Sequence, residues 1–148
     1  MTRIEVVTLD ESERASLLDN GGTGVLSFST EGDEPPRTIP VSYGYDAVTS
    51  NFYFRLATSS EWPADEFDGH AVSFVTYDVD DGWWSIIAKG RLEDIEHEDV
   101  ATESLDALER VEIPLIDIFG THPREIDFSF CRLDPAECTG RHEASTSL

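Results

Sequence analysis

The chain has 148 residues, 39% of them apolar, with eight Phe, four Tyr and three Trp, enough for one domain with a sizeable core and unlike a disordered chain. Thirty-one acids against ten bases give a formal net charge of −21, which excludes the cationic footprint that nucleic acid or an anionic membrane demands. No apolar run approaches the roughly 20 residues that span a bilayer and no secretory pattern opens the sequence, so the expectation is a soluble, cytoplasmic, single-domain protein over residues 1–148.

In chain order, Thr8-Leu9-Asp10-Glu11 matches a capping box and "RASLL" continues it, which predicts a helix over 9–19, stopped at "NGG". Strand-like segments with turn signals between them follow: "GVLSFS" (24–29), "RTIPVSYGY" (37–45), "FYFRLA" (52–57) and "HAVSFVTYDV" (70–79). In the third, alternation places Phe52, Phe54 and Leu56 on one face and Tyr53, Arg55 and Ala57 on the other. "WWSIIAKGRLEDI" (83–95) is a further long strand, in which Gly90 marks a bulge or a close approach. The period then changes. Ala101, Leu105 and Leu108 fall at helical spacing within "HEDVATESLDALERV" (97–111), and "IPLIDIFG" (113–120) reads as a shorter helix. "REIDFSFCRLD" (124–134) alternates again as the last strand, and 142–148 reads as a polar tail to a core over about 5–141. Some six strands without a βαβ rhythm predict a mainly β fold, a small barrel with peripheral helices.

The acidic excess carries a second implication. So dense a carboxylate surface repels itself at ordinary ionic strength, whereas at molar salt the Debye length falls to about 3 Å. The composition therefore points to a salt-rich cytoplasm. Of the ten bases only Lys89 is a lysine.

Chemistry-bearing motifs are sparse. Cys131 and Cys138 stand as free thiols in a cytosolic setting. His70, His97, His122 and His142 are dispersed, with no zinc-ligand spacing, so no metal is expected. Neither a Walker loop, nor G-x-G-x-x-G, nor G-x-S-x-G occurs, and nothing nominates a catalytic nucleophile. Pro40 inside a strand marks either an ordinary edge or a ladder interrupted so that backbone groups face a ligand. Arg55, with the hydroxyls of Thr58, Ser59 and Ser60 just after it, suits a phosphate; pairing with one of the many carboxylates is the competing reading. Arg37 comes near Arg55 if the two strands form a hairpin. Trp83 and Trp84 point to opposite faces, one into the core and the other free to cover a ligand or an interface. Lys89 and Arg91 share one face, solvated or in contact with a ligand.

Taken in order, "GVLSFS", "PPRTIPVSYGYD", "NFYFRLATSS", "HAVSFVTYD", "WWSIIAKGRLEDI" and "FSFCRLDPAECTGR" resemble the pyridoxamine 5′-phosphate oxidase-like family of FMN-binding split barrels. The resemblance implies a six-stranded Greek-key split barrel that forms a homodimer with flavin sites at the interface. It implies that the backbone from Thr38 through Ile39 and Pro40 to Val41 lines the isoalloxazine ring. Arg55, Leu56, Ala57, Thr58, Ser59 and Ser60 would hold the phosphate, with Arg37 near them, and Trp84 and Ser85 would approach the flavin from the same or the partner subunit. Many members of the family carry a lysine shortly after the hydroxyl loop; here "SSEWPADEF" offers Glu61, Asp65 and Glu66 instead, adding repulsion toward a phosphate of about −1.5 to −2 charges. The expected activity is FMN-dependent oxidoreduction of a small molecule. Pyridoxamine phosphate itself is not the expected substrate, because the C-terminal segment offers only Arg132, Arg141 and His142 for a second phosphate. The alternatives are a non-catalytic flavin- or haem-binding barrel and a deazaflavin-dependent reductase.

Overall fold

The structure, a computed structural model, describes residues 2–57, 66–80, 82–95, 111, 113 and 128–147. The chain builds β1 (Thr2–Thr8), α1 (Glu11–Leu18), β2 (Gly22–Phe28), β3 (Arg37–Asp46), β4 (Asn51–Ala57), β5 (Ala71–Asp78), β6 (Trp84–Asp94), β7 (Phe128–Leu133) and β8 (Glu137–Ser147). All strand pairs are antiparallel. The order β6-β5-β2-β3-β4-β7 closes on itself through a β6–β7 pairing, giving a six-stranded barrel, while β8 and then β1 extend from β6. Within the ring β5 returns beside β2 rather than β4, the arrangement of a Greek key.

Sequence alternation explains which face is buried. Phe52, Phe54 and Leu56 are fully buried in the barrel with Leu26, Phe28, Val72, Phe74, Ile86, Leu92 and Leu133. The rings of Phe52, Phe54 and Tyr43 converge on Phe74 at centroid distances of 5.4, 4.9 and 5.2 Å. Each buried Phe contributes roughly 1.5–3 kcal/mol relative to an exposed one. The other face of β4 serves a smaller cluster in which Tyr53 packs with Ile95, Val111, Ile113 and Phe130. Gly24 makes room for this core: a Cβ there would stand 2.5 Å from Phe74 Cε1 and 2.5 Å from the Val75 carbonyl oxygen.

Gly90 is a close approach. β6 changes partner here, pairing with β8 over Trp84–Lys89 and with β7 over Leu92–Asp94. The connection between β7 and β8 crosses at this point, so a Cβ on Gly90 would lie 3.1 Å from Asp134 O and 3.3 Å from Ala136 N.

Three expectations change. The helix is capped by Asp10, not Thr8. Asp10 accepts from the Glu13 N–H at 2.8 Å and Glu13 returns a bond to the Asp10 N–H, because Thr8 is still in β1, opposite Arg141. Residues 142–147, read as a polar tail, belong to β8, paired with β1 from Val7↔His142 to Thr2↔Ser147. β1 itself lay in a stretch given no element. The predicted helices over 97–111 and 113–120 fall almost wholly outside the described residues. No helix among those described is long and apolar enough to cross a membrane.

Candidate functional site

β3 has two different halves. From Ser42 to Asp46 it pairs with β4 throughout, and at Ser42 and Tyr43 with β2 as well. From Arg37 to Val41 it pairs only with β2, because the β3–β4 ladder ends at Ser42↔Arg55. Beyond Arg55, Leu56 and Ala57 remain paired with β7. β4 thus leaves β3 to follow β7, and the sheet splits. One edge of the backbone over Thr38, Ile39, Pro40 and Val41 therefore has no ladder partner among the described residues. Such an edge supplies fixed carbonyl acceptors and N–H donors, with Pro40 contributing only its carbonyl. Thr38 and Pro40 are exposed, Ile39 is half-buried and Val41 is buried.

Arg55 sits at the point of the split. Its guanidinium carbon lies 5.0 Å from the centroid of the Phe128 ring, a cation–π contact from the neighbouring strand. Burial pushes its pKa below the usual guanidinium value, yet a guanidinium remains charged at neutral pH. Arg37 is not brought beside it. The hairpin forms, but its register places Ser42 opposite Arg55, and Arg37 lies five residues farther along, on the other face, roughly 17 Å away at strand rise. Thr58, Ser59 and Ser60 lie outside the described residues.

Trp84 packs its half-buried ring against the main core, and Ser85 is half-buried between Tyr77 and Arg141 in the ladders. β5 and β2 stand between β6 and β3. Within one chain Ser85 is thus about 14 Å across the sheet from β3, three strand spacings. Trp84 also borders a different space: together with Trp83 it lines a cleft of about 540 Å³ beside Leu9 and Leu17.

The outer barrel face carries two in-register rows. Pro40, Val25, Val75 and Ile87 face one another across β3, β2, β5 and β6, and Val25 and Ile87 are each 36% exposed. Pro40 and Val25 also border a cleft of about 600 Å³ that Tyr77 and Val79 help to line. The adjacent row is Thr38, Ser27, Ser73 and Lys89. Its Lys89 end opens into a cleft of about 630 Å³, which sequence reading missed because its walls come from β2, β5, β6 and the β7–β8 connection. Where β6 meets β7, Glu93 pairs with its register neighbour Arg132. Burial alone would lower the Arg132 pKa, but Glu93 and Tyr53 outweigh it and the net shift is upward. No group of three or more metal-ligating side chains forms among the described residues.

Solved structures share this fold. The FAD-binding protein from Mycobacterium smegmatis matches with a TM-score of 0.67 at 19% identity, covering 92% of this chain and 97% of that one. A FAD-binding protein from Mesorhizobium loti matches with a TM-score of 0.66 at 20% identity, over 96% and 99% of the two chains. The FAD- and haem-binding protein from M. smegmatis matches with a TM-score of 0.60 at 15% identity, over 93% and 72%. No curated protein matches. A family model described as pyridoxamine 5′-phosphate oxidase matches residues 10–142, and with the split barrel in place the chain belongs to that family.

Proposed function

We propose that the protein is a flavin-dependent oxidoreductase, with FMN as the flavin, acting on a small molecule as a homodimer. The observation that carries this reading is the β3 edge from Thr38 to Val41, without a ladder partner among the described residues and opening where Arg55 stands, in a chain of this family. Flavin supplies the electron-pair chemistry when bound; the protein binds, orients and shields it. The β3 edge offers backbone hydrogen bonds to the rim of a flat heteroaromatic ring. Arg55, steadied by Phe128, offers a fixed fork of N–H donors toward a phosphate. The apolar row of Pro40, Val25, Val75 and Ile87 is the face on which a second copy would exclude water.

The test is the absorbance spectrum of protein purified in molar KCl and then offered FMN. A flavin band near one equivalent per chain is the expected result. Protein that stays colourless after FMN addition overturns the reading. Chromatography of the released cofactor separates FMN from FAD, the flavin that the M. smegmatis and M. loti proteins are named for binding. A non-catalytic module is the second reading, favoured by the acids that follow Ser60 where the resemblance leads one to look for a base. Under it a bound chromophore would be neither reduced nor reoxidised in the presence of an electron donor.

A further inference from the structure

The cleft around Lys89 is separate from Arg55 and is not used by the flavin reading. Ser27, Ser73, Lys89, Arg91, Asp134 and Glu137 line it together with apolar groups of β2 and β5. Its volume of about 630 Å³ falls in the range of small-molecule sites, roughly 300–1,000 Å³. The polar row that enters it is regular. Thr38, Ser27, Ser73 and Lys89 occupy successive strands in register, at steps of about 4.8 Å, and the Ser27 and Thr38 hydroxyl oxygens are 3.3 Å apart.

Lys89 is the only lysine in a chain with 31 acids, and it is exposed. Glu137 is its register partner on β8. Even so, Lys89 makes no ion pair among the described residues. Its ammonium keeps its donors for something else. Arg91 is held differently: its Nη1 donates to the Gly69 carbonyl at 2.9 Å, which leaves other N–H groups at the rim.

Charge then selects the class of ligand. Two cations and two carboxylates border the space, so a bare anion gains little there: what Lys89 and Arg91 attract, Asp134 and Glu137 repel. A ligand that has an anionic end and several hydroxyl groups satisfies both halves. Its phosphate oxygens accept from the ammonium and the serine hydroxyls, while its own hydroxyls donate to the carboxylates. We propose that this cleft binds a sugar phosphate group, either as a free sugar phosphate or as part of a nucleotide, with Lys89 as the phosphate contact and Glu137 as the hydroxyl acceptor.

The test is calorimetric titration of the full chain in molar KCl with ribose 5-phosphate, adenosine 5′-monophosphate, ribose and inorganic phosphate. Ribose 5-phosphate is expected to bind more tightly than either ribose or phosphate. Lys89→Ala is expected to weaken it about tenfold, the loss of one charge-assisted contact, and Lys89→Arg to restore part of that. Glu137→Gln carries the sharper sign: it should weaken ribose 5-phosphate and strengthen inorganic phosphate. Much tighter binding of the adenosine monophosphate assigns the group to a nucleotide; equal binding assigns it to a free sugar phosphate. The proposal is overturned if ribose 5-phosphate does not bind or if Lys89→Ala leaves its affinity unchanged. Since the titration needs no flavin and the flavin spectrum needs no Lys89, either idea can fail without the other.

Discussion

Cys138 shows how a residue's chemistry is set by neighbours distant in sequence. It lies on β8 opposite Ala88 and packs, half-buried, against the main core. Burial pushes its thiol above the ordinary 9.0, and Arg14 from the helix pulls it back only in part. Burial likewise raises the Tyr43 phenol above 10.0, with a hydrogen bond to Thr76 opposing. Both shifts mean that the fold prefers the neutral, protonated form. The stability these groups contribute is complete below their unfolded values and is lost as pH rises through the folded ones. The urea midpoint in molar KCl should therefore stay level on this account up to about pH 8 and fall above pH 9. Cys138→Ala should remove the earlier part of that fall and leave the part due to Tyr43. A midpoint that climbs between pH 9 and 11 would contradict it. None of this was legible in sequence, where Cys138 was one of two unremarkable thiols. Arg55 was legible in part: its face on β4 followed from alternation, whereas its stacking on Phe128 depended on which strand lay next to β4.

At the scale of elements, alternation found the barrel strands because each buries one complete apolar face, and it placed Gly90 where the backbone crowds. It failed for β1 and β8. "TRIEVVT" and "ECTGRHEASTS" carry few apolar residues at period two, and their main partners are each other, across nearly the whole chain. Pairing of that range leaves little local trace. The split in β3 was half legible: Pro40 left an ordinary edge and an interrupted ladder both open, and only the register shows the break at Ser42↔Arg55. The outer row belongs to this scale too, since no single strand contains it. Ile87→Asp places a charge at its β6 end, opposite Val75. If two copies meet on this face, sedimentation in molar KCl should show a dimer for the parent chain and a monomer for the variant. A variant that remains dimeric would move the interface elsewhere.

For the whole molecule, the net charge of −21 dominates the behaviour in solution. Folding brings those carboxylates together, so the compact state bears more repulsion than the extended one, and salt relieves it. The urea midpoint should rise steadily between about 0.1 and 1 M KCl, as the Debye length shortens from roughly 10 to 3 Å. A flat response would remove the salt-adaptation reading. Strand order and composition made the family legible. The Lys89 cleft was not, because it exists only once β2, β5, β6 and the β7–β8 connection are assembled. β6 holds that assembly together, since β5, β7 and β8 all pair with it. A one-residue slip of β6 would turn Lys89 and Ile87 inward and Ile86 and Ala88 outward against all three neighbours at once. Each neighbour checks the alignment independently, so the strand is proofread three times, and the position of the chain's one lysine is among the most strictly specified on its surface.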